Sequence, residues 1–148
     1  MDPHRELIRA VLDTNVLASG IAGFIQPHSA PGLLLRAWQA GRFELIVSEH
    51  ILVELAFVLD KPYFLRRIPA DRAAWAGVVL RRQATVVVVT DGMPGVAADP
   101  GDDAILATAV AGRAEFIVTG DVALRALGSH AGIAVVSPRE FLDLLSNA

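Results

Sequence analysis

Phe43-Glu44-Leu45-Ile46-Val47-Ser48-Glu49-His50-Ile51-Leu52-Val53-Glu54 passes from a short β-type run straight into a helix. Phe43–Val47 is apolar and strand-prone. Ser48 is a favoured N-cap, and the helix it opens reaches about Asp60, where Pro62 forbids continuation. The same alternation extends in both directions. Ile8–Leu12 precedes this unit as a β-type run. Ala84–Thr90, with its valines at 86 to 89, reads as a fully buried strand. Phe116–Thr119 and Ile133–Val136 complete five runs.

The intervening stretches carry helix signals. Pro31–Ala40 closes at Gly41, in the place of a C′ glycine. Ala70–Gln83 is amphipathic and begins with Asp71. Asp102 and Asp103 open a helix ending near Gly112, and Asp121–Leu127 ends before Gly128. Ser137-Pro138-Arg139-Glu140 is a capping box with proline at the first helical position, opening the last helix. Ala18–Ala30, with Gly20, Gly23, Phe24 and His28, reads as a loop at the rim of whatever Asp13 serves. Strand and helix alternating five times predict an α/β domain: a parallel five-stranded sheet flanked by helices on both faces. The 148 residues fit one domain, 1–148.

Composition narrows the function. Hydrophobic residues make up 53%, which fills a core and excludes intrinsic disorder. Cysteine is absent, which excludes a thiol nucleophile and a Cys-ligated metal centre. The net charge of −3 excludes a polybasic nucleic-acid binder, so a phosphate-bearing partner needs a local patch or bound cations. The four histidines show no zinc-ligand spacing. The charged start MDPHREL lacks a signal-peptide core. Thr14–Leu35, free of acidic and basic residues, is interrupted by Gln26, Pro27, His28 and Pro31, which a membrane span would not carry. A cytoplasmic protein is expected.

In parallel α/β sheets, ligands bind beyond the carboxyl ends of the strands. Asp13 directly follows the first run and Asp121 the fourth, while Asp102 and Asp103 begin the helix before the fourth. Asp102, Asp103 and Asp121 are also good helix caps. Glu54 lies in Ile51–Leu59, apolar almost all round and therefore expected to be largely buried. A buried carboxylate costs several kcal/mol unless it is partnered. No Lys or Arg lies within one turn of Glu54, so it pairs with a distant Arg or faces a polar cleft. Carboxylates converging without cations suit Mg²⁺ or Mn²⁺. Of the other notable residues, Arg66, Arg67, Arg81 and Arg82 read as solvated, His50 as exposed at the first turn, and Trp38 and Trp75 as core or interface anchors.

LDTNVL, SEHILVEL, DPGDDAILATA and VTGD, in this order from Leu12 to Asp121, resemble the motifs of PIN-domain ribonucleases, and most of all the VapC-like toxins of bacterial toxin–antitoxin pairs. The resemblance runs from Arg9 to Leu144 and includes the closing SPREFL. It implies a parallel sheet flanked by helices, a carboxylate site for Mg²⁺ or Mn²⁺, single-stranded RNA as substrate, a cognate antitoxin and a homodimer. By position it assigns the acids to Asp13, Glu54, Asp103 and Asp121, with Asn15, Ser48, Glu49 and Thr119 in support. Gly101 stands where the branch usually has an acid, leaving Asp99 and Asp102 as candidates to join Asp103.

Two other function classes are compatible with such a sheet. One is phosphoaspartyl chemistry on Asp13. It wants a second acid two residues on, where Asn15 stands, or a receiver-type lysine, and Lys61 is the only lysine. The other is a non-catalytic binding module, which has no need of the full acid set.

Overall fold

The computed structural model describes residues 6–90 and 100–147. Its strands are β1 (Arg9–Leu12), β2 (Glu44–Ser48), β3 (Thr85–Val87), β4 (Phe116–Val118), β5 (Ser129–His130) and β6 (Ile133–Val136). Its helices are α1 (Thr14–Ala22), α2 (Ala30–Gln39), α3 (Glu49–Leu59), α4 (Pro62–Leu65), α5 (Ala70–Gln83), α6 (Pro100–Ala111), α7 (Val122–Arg125) and α8 (Pro138–Ser146). The strands form one sheet in the order β3-β2-β1-β4-β6-β5, and every pairing except β5–β6 is parallel.

The expected α/β sheet flanked by helices is present, with six strands where five were read. The sixth, β5, is a two-residue antiparallel edge joined to β6 through Ala131 and Gly132, both at positive φ. A pair of residues carries no periodicity, and Ala131 is not the Asn or Asp usual in such a turn, so the hairpin leaves no trace in the sequence. The reading of Ala84–Thr90 as a buried strand is also corrected. Only Thr85–Val87 pairs, at the free edge beside β2, and Val88 is 80% exposed. A run of valines marks extended backbone but does not tell a central strand from an edge.

A third correction concerns the stretch read as a loop from Ala18. Its first part is helix: α1 runs to Ala22, packs against α2 and α3, and buries Val16, Leu17, Ala18 and Ile21. Glycines at 20 and 23 hid it. Gly20 is there for closeness, since a Cβ would stand 2.8 Å from the Pro31 carbonyl oxygen and 2.7 Å from Leu35 Cγ. Gly20→Val is therefore expected to destabilise the fold by about 1–3 kcal/mol through overpacking. Chemical denaturation measures this, and wild-type stability would disprove the tight α1–α2 contact.

Other ends follow their local signals. Gly41 takes φ +75° just past α2. The Ser48 hydroxyl accepts from the Ile51 N–H at 3.4 Å. Ser137 and Glu140 form the reciprocal capping box of α8. Helix α3 is less buried than its composition suggests: Ile51, Leu52, Leu55 and Val58 face the core, but Phe57 is 70% exposed and Val53 lies beside it at the surface. No helix among the described residues is long and apolar enough to cross a membrane.

Strand β1 lies at the centre, between β2 and β4. The chain leaves β1 toward β2 and β3, then returns to its other side at β4. The crevice above the carboxyl ends of β1 and β4 is thus the point where the strand order reverses, the usual ligand position in open α/β sheets.

Candidate metal centre

Asp13 occupies that crevice because β1 ends there. Its N–H still belongs to the sheet, donating to the Val118 carbonyl at 3.0 Å. Its side chain caps α1, with Oδ1 accepting from the Val16 N–H at 2.8 Å. Oδ2 accepts a short hydrogen bond from the Thr119 hydroxyl, and Thr119 Oγ1 in turn accepts from the Asp121 N–H at 3.0 Å. One buried threonine thereby links the acid after β1 to the backbone of the acid after β4. Each Asp13 oxygen keeps a second lone pair.

Asp13 is 7% exposed. Burial raises its pKa above the ordinary value, with smaller upward contributions from the charges of Asp121 and Glu54; the hydrogen bonds from Thr119 and Val16 act against these. The two acids felt by Asp13 share its cleft. The cleft has a volume of about 520 Å³, and among the described residues its wall carries Asp13, Asn15, Glu54, Asp102 and Asp121 with no Lys or Arg. Asp121 caps α7 through its Oδ1, which accepts from the Ala123 N–H at 2.8 Å, so its capping role and its place at the cleft coexist.

Glu54 faces the cleft, and no Arg partner appears among the described residues. Glu54 is not largely buried as expected: its side chain is 40% exposed, because α3 shows one flank to solvent, and its Oε2, which accepts no hydrogen bond, lies 3.7 Å from His50 Nε2. An orphaned carboxylate oxygen beside two more carboxylates is the arrangement a small cation relieves. Among the described residues no three acidic or histidine side chains stand close enough to grip an ion as they are. Mg²⁺ characteristically keeps several waters and takes only one or two carboxylates along with substrate oxygens. The all-oxygen donor set therefore fits such an ion.

The remaining sequence candidates divide. Asn15 lines the cleft and Thr119 holds Asp13. Ser48 lies beneath the site as the cap of α3, 2% exposed. Glu49 turns to the surface, where a two-pronged ion pair with Arg81 (2.8 and 2.6 Å) holds its carboxyl below the usual range. It does not line the cleft, because the five positions from it to Glu54 rotate the side chain by about 140° around the helix. On α6, Asp102 is on the cleft wall and Asp103 is not. Asp99 lies outside the described residues. Thr14 was not singled out from the sequence. It lines the cleft, is 3% exposed and leaves its hydroxyl without a partner; its place directly after Asp13 was the available signal. Trp38 is buried and Trp75 is 53% exposed, and both face a second, largely apolar cleft between α1, α2 and α5 that bears no acid cluster.

Comparison with known proteins agrees with the fold. The structure is similar to that of PAE2754 from Pyrobaculum aerophilum (TM-score 0.62, 16% identity, covering 95% of this chain and 91% of that one). It is also similar to VapC20 of Mycobacterium tuberculosis, a toxin that cleaves the sarcin-ricin loop (TM-score 0.55, 18% identity, covering 84% of this chain and 98% of that one). At these identities the likeness speaks for the fold. No protein with a curated description matches the chain. The family model described as PIN domain matches residues 9–123, the span from β1 through Asp121 that holds every acid of the cleft, and so the chain belongs to the PIN-domain family of nucleases.

Proposed function

We propose that this protein is a metal-dependent endoribonuclease that cleaves single-stranded RNA and acts as the toxin of a toxin–antitoxin pair. The observation that carries the reading is the acid set at the strand-order reversal: Asp13, Glu54 and Asp121 from three separate elements, with no Lys or Arg on the wall among the described residues.

Asp13, Glu54 and Asp121 would hold Mg²⁺ or Mn²⁺, with the first turn of α6, bearing Asp102 and Asp103, adding the fourth acid. When bound, the ion supplies Lewis-acid stabilisation of phosphate charge and lowers the pKa of water. The chain's own residues set the geometry. Thr119 and the Val16 N–H fix both oxygens of Asp13, leaving one lone pair of each for the cleft. Asn15 offers an amide to substrate or water at the rim. The acids also repel a phosphodiester unless their charge is neutralised, so RNA enters only a metal-loaded site. The similarity to a toxin supports a cognate antitoxin as partner; an antitoxin docked near the acidic cleft and a homodimer belong to the same proposal.

Labelled single-stranded RNA incubated with the purified protein and Mn²⁺ is expected to be cut internally, and EDTA to stop the cutting. Intact RNA with Mn²⁺ would refute the nuclease reading and leave a binding module. Transfer of a phosphoryl group to Asp13 from a small phosphodonor would instead establish the phosphoaspartyl class.

A further inference from the structure

Beneath the acidic cleft, two helices that bear its acids are joined by a buried chain of hydrogen bonds. Ser48 Oγ lies 2.8 Å from Thr108 Oγ1, and Thr108 Oγ1 lies 2.8 Å from the Ala104 carbonyl oxygen. Ser48 is 2% exposed and Thr108 is fully buried. A carbonyl only accepts, so the one Thr108 proton goes to Ala104. Thr108 must then accept from Ser48, and Ser48, its proton spent, accepts from the Ile51 N–H at 3.4 Å. The order Ile51 N–H to Ser48 to Thr108 to Ala104 has a single direction. It starts three residues before Glu54 on α3 and ends on the peptide next to Asp103 in the first turn of α6.

On the same two helices Ile51, Ile105, Leu106 and Ala109 are buried and apolar. Apolar contacts let helices slide, whereas a hydrogen bond fixes one separation and one rotation. Thr108 also makes a back-bond to its own helix, which adds little to helix stability by itself. Its second bond, across to the cap of α3, is the one that ties the acid-bearing elements together.

We infer that Thr108 is a positioning residue of the metal centre: through Ser48 it sets the placement of Glu54 relative to the acids at the start of α6, and thereby the affinity for the cation. The inference rests on the metal-centre reading above.

The test is Mn²⁺ affinity, measured by calorimetry well below the melting temperature, for wild type, Thr108→Val, Thr108→Ser and Ser48→Ala. Thr108→Val keeps the shape, removes both bonds and strands the Ser48 hydroxyl. It is expected to weaken Mn²⁺ binding about tenfold, within the range seen when partners of metal ligands are lost. Thr108→Ser retains the hydroxyl and should return the affinity toward wild type. Ser48→Ala should weaken it like Thr108→Val, and the double variant no further, because the two act as one unit. Leu145→Ala, in α8 and outside the network, should lower the melting temperature while leaving Mn²⁺ affinity unchanged. Wild-type affinity in Thr108→Val, or an equal loss in Leu145→Ala, would overturn the inference while leaving the metal centre standing. If Thr108→Val does not fold, Thr108→Ser and Ser48→Ala decide in its place: wild-type affinity in Ser48→Ala, or a loss in Thr108→Ser as large as in Ser48→Ala, would refute it. Absence of Mn²⁺ binding by the wild type would remove the underlying reading and this inference together.

Discussion

Asp13→Asn is expected to reduce cleavage of single-stranded RNA by more than about a hundredfold, the loss already reached when only the partners of metal ligands are changed. The variant should nevertheless fold. Asparagine caps a helix as well as aspartate, so the bond from the Val16 N–H survives. Stability without metal should move the other way from activity. Burial, then the neighbouring Asp121 and Glu54, raise the folded pKa of Asp13 above its ordinary 3.8. Between those two values the native state binds more protons than the unfolded chain. The stability this group contributes is therefore complete below the unfolded value and is lost as pH rises through the folded one. At neutral pH the wild type carries that deficit and the amide does not. Melting of the metal-free protein between pH 4 and 8 should show a shallower decline for Asp13→Asn than for wild type. Retained cleavage, or an unchanged pH slope, would remove Asp13 from the centre of the site.

Mn²⁺ should produce the second large effect. An ion that binds only the folded form adds about 2.7 kcal/mol at 100 times its dissociation constant. For a chain of this size that corresponds to roughly 5–10 °C in melting temperature. Glu54→Gln replaces the orphaned Oε2 with a group that carries no charge, so most of that rise should vanish, and cleavage with it. A full Mn²⁺ response in Glu54→Gln, read by differential scanning fluorimetry, would make Glu54 a wall residue with no part in holding the ion.

Much of this arrangement is local and therefore written in the sequence. A strand ending at Asp13, caps at Ser48 and Asp121, the C′ glycine at 41 and the box at Ser137 and Glu140 each depend on a few adjacent residues. Their alternation suffices to predict a parallel sheet, because parallel neighbours need helical crossovers; the antiparallel edge at β5 was not foreseen. Glu54 was singled out as an acid in an apolar stretch without a Lys or Arg within a turn, and it stands on the cleft wall, although the helix around it is half exposed where burial was expected.

What the sequence could not decide depends on contacts between distant segments. The valines at 86 to 89 fit a central strand or an edge equally well, and only the order β3-β2-β1-β4-β6-β5 leaves β3 outermost. Gly20 looks like a loop residue until α2 is seen pressed against it. Glu49 and Glu54 share a helix, yet rotation sends the first to Arg81 and the second to the cleft. Asp102 and Asp103 are equal as neighbours in a run, and the packing of α6 on β1, β2 and β4 turns the first toward the cleft wall. Thr108 is one small residue in an apolar stretch, and its meaning lies in a hydroxyl 60 positions away. Propensity and capping are short-range and survive in sequence order. Rotation, edge position and buried pairing arise only when the chain closes on itself.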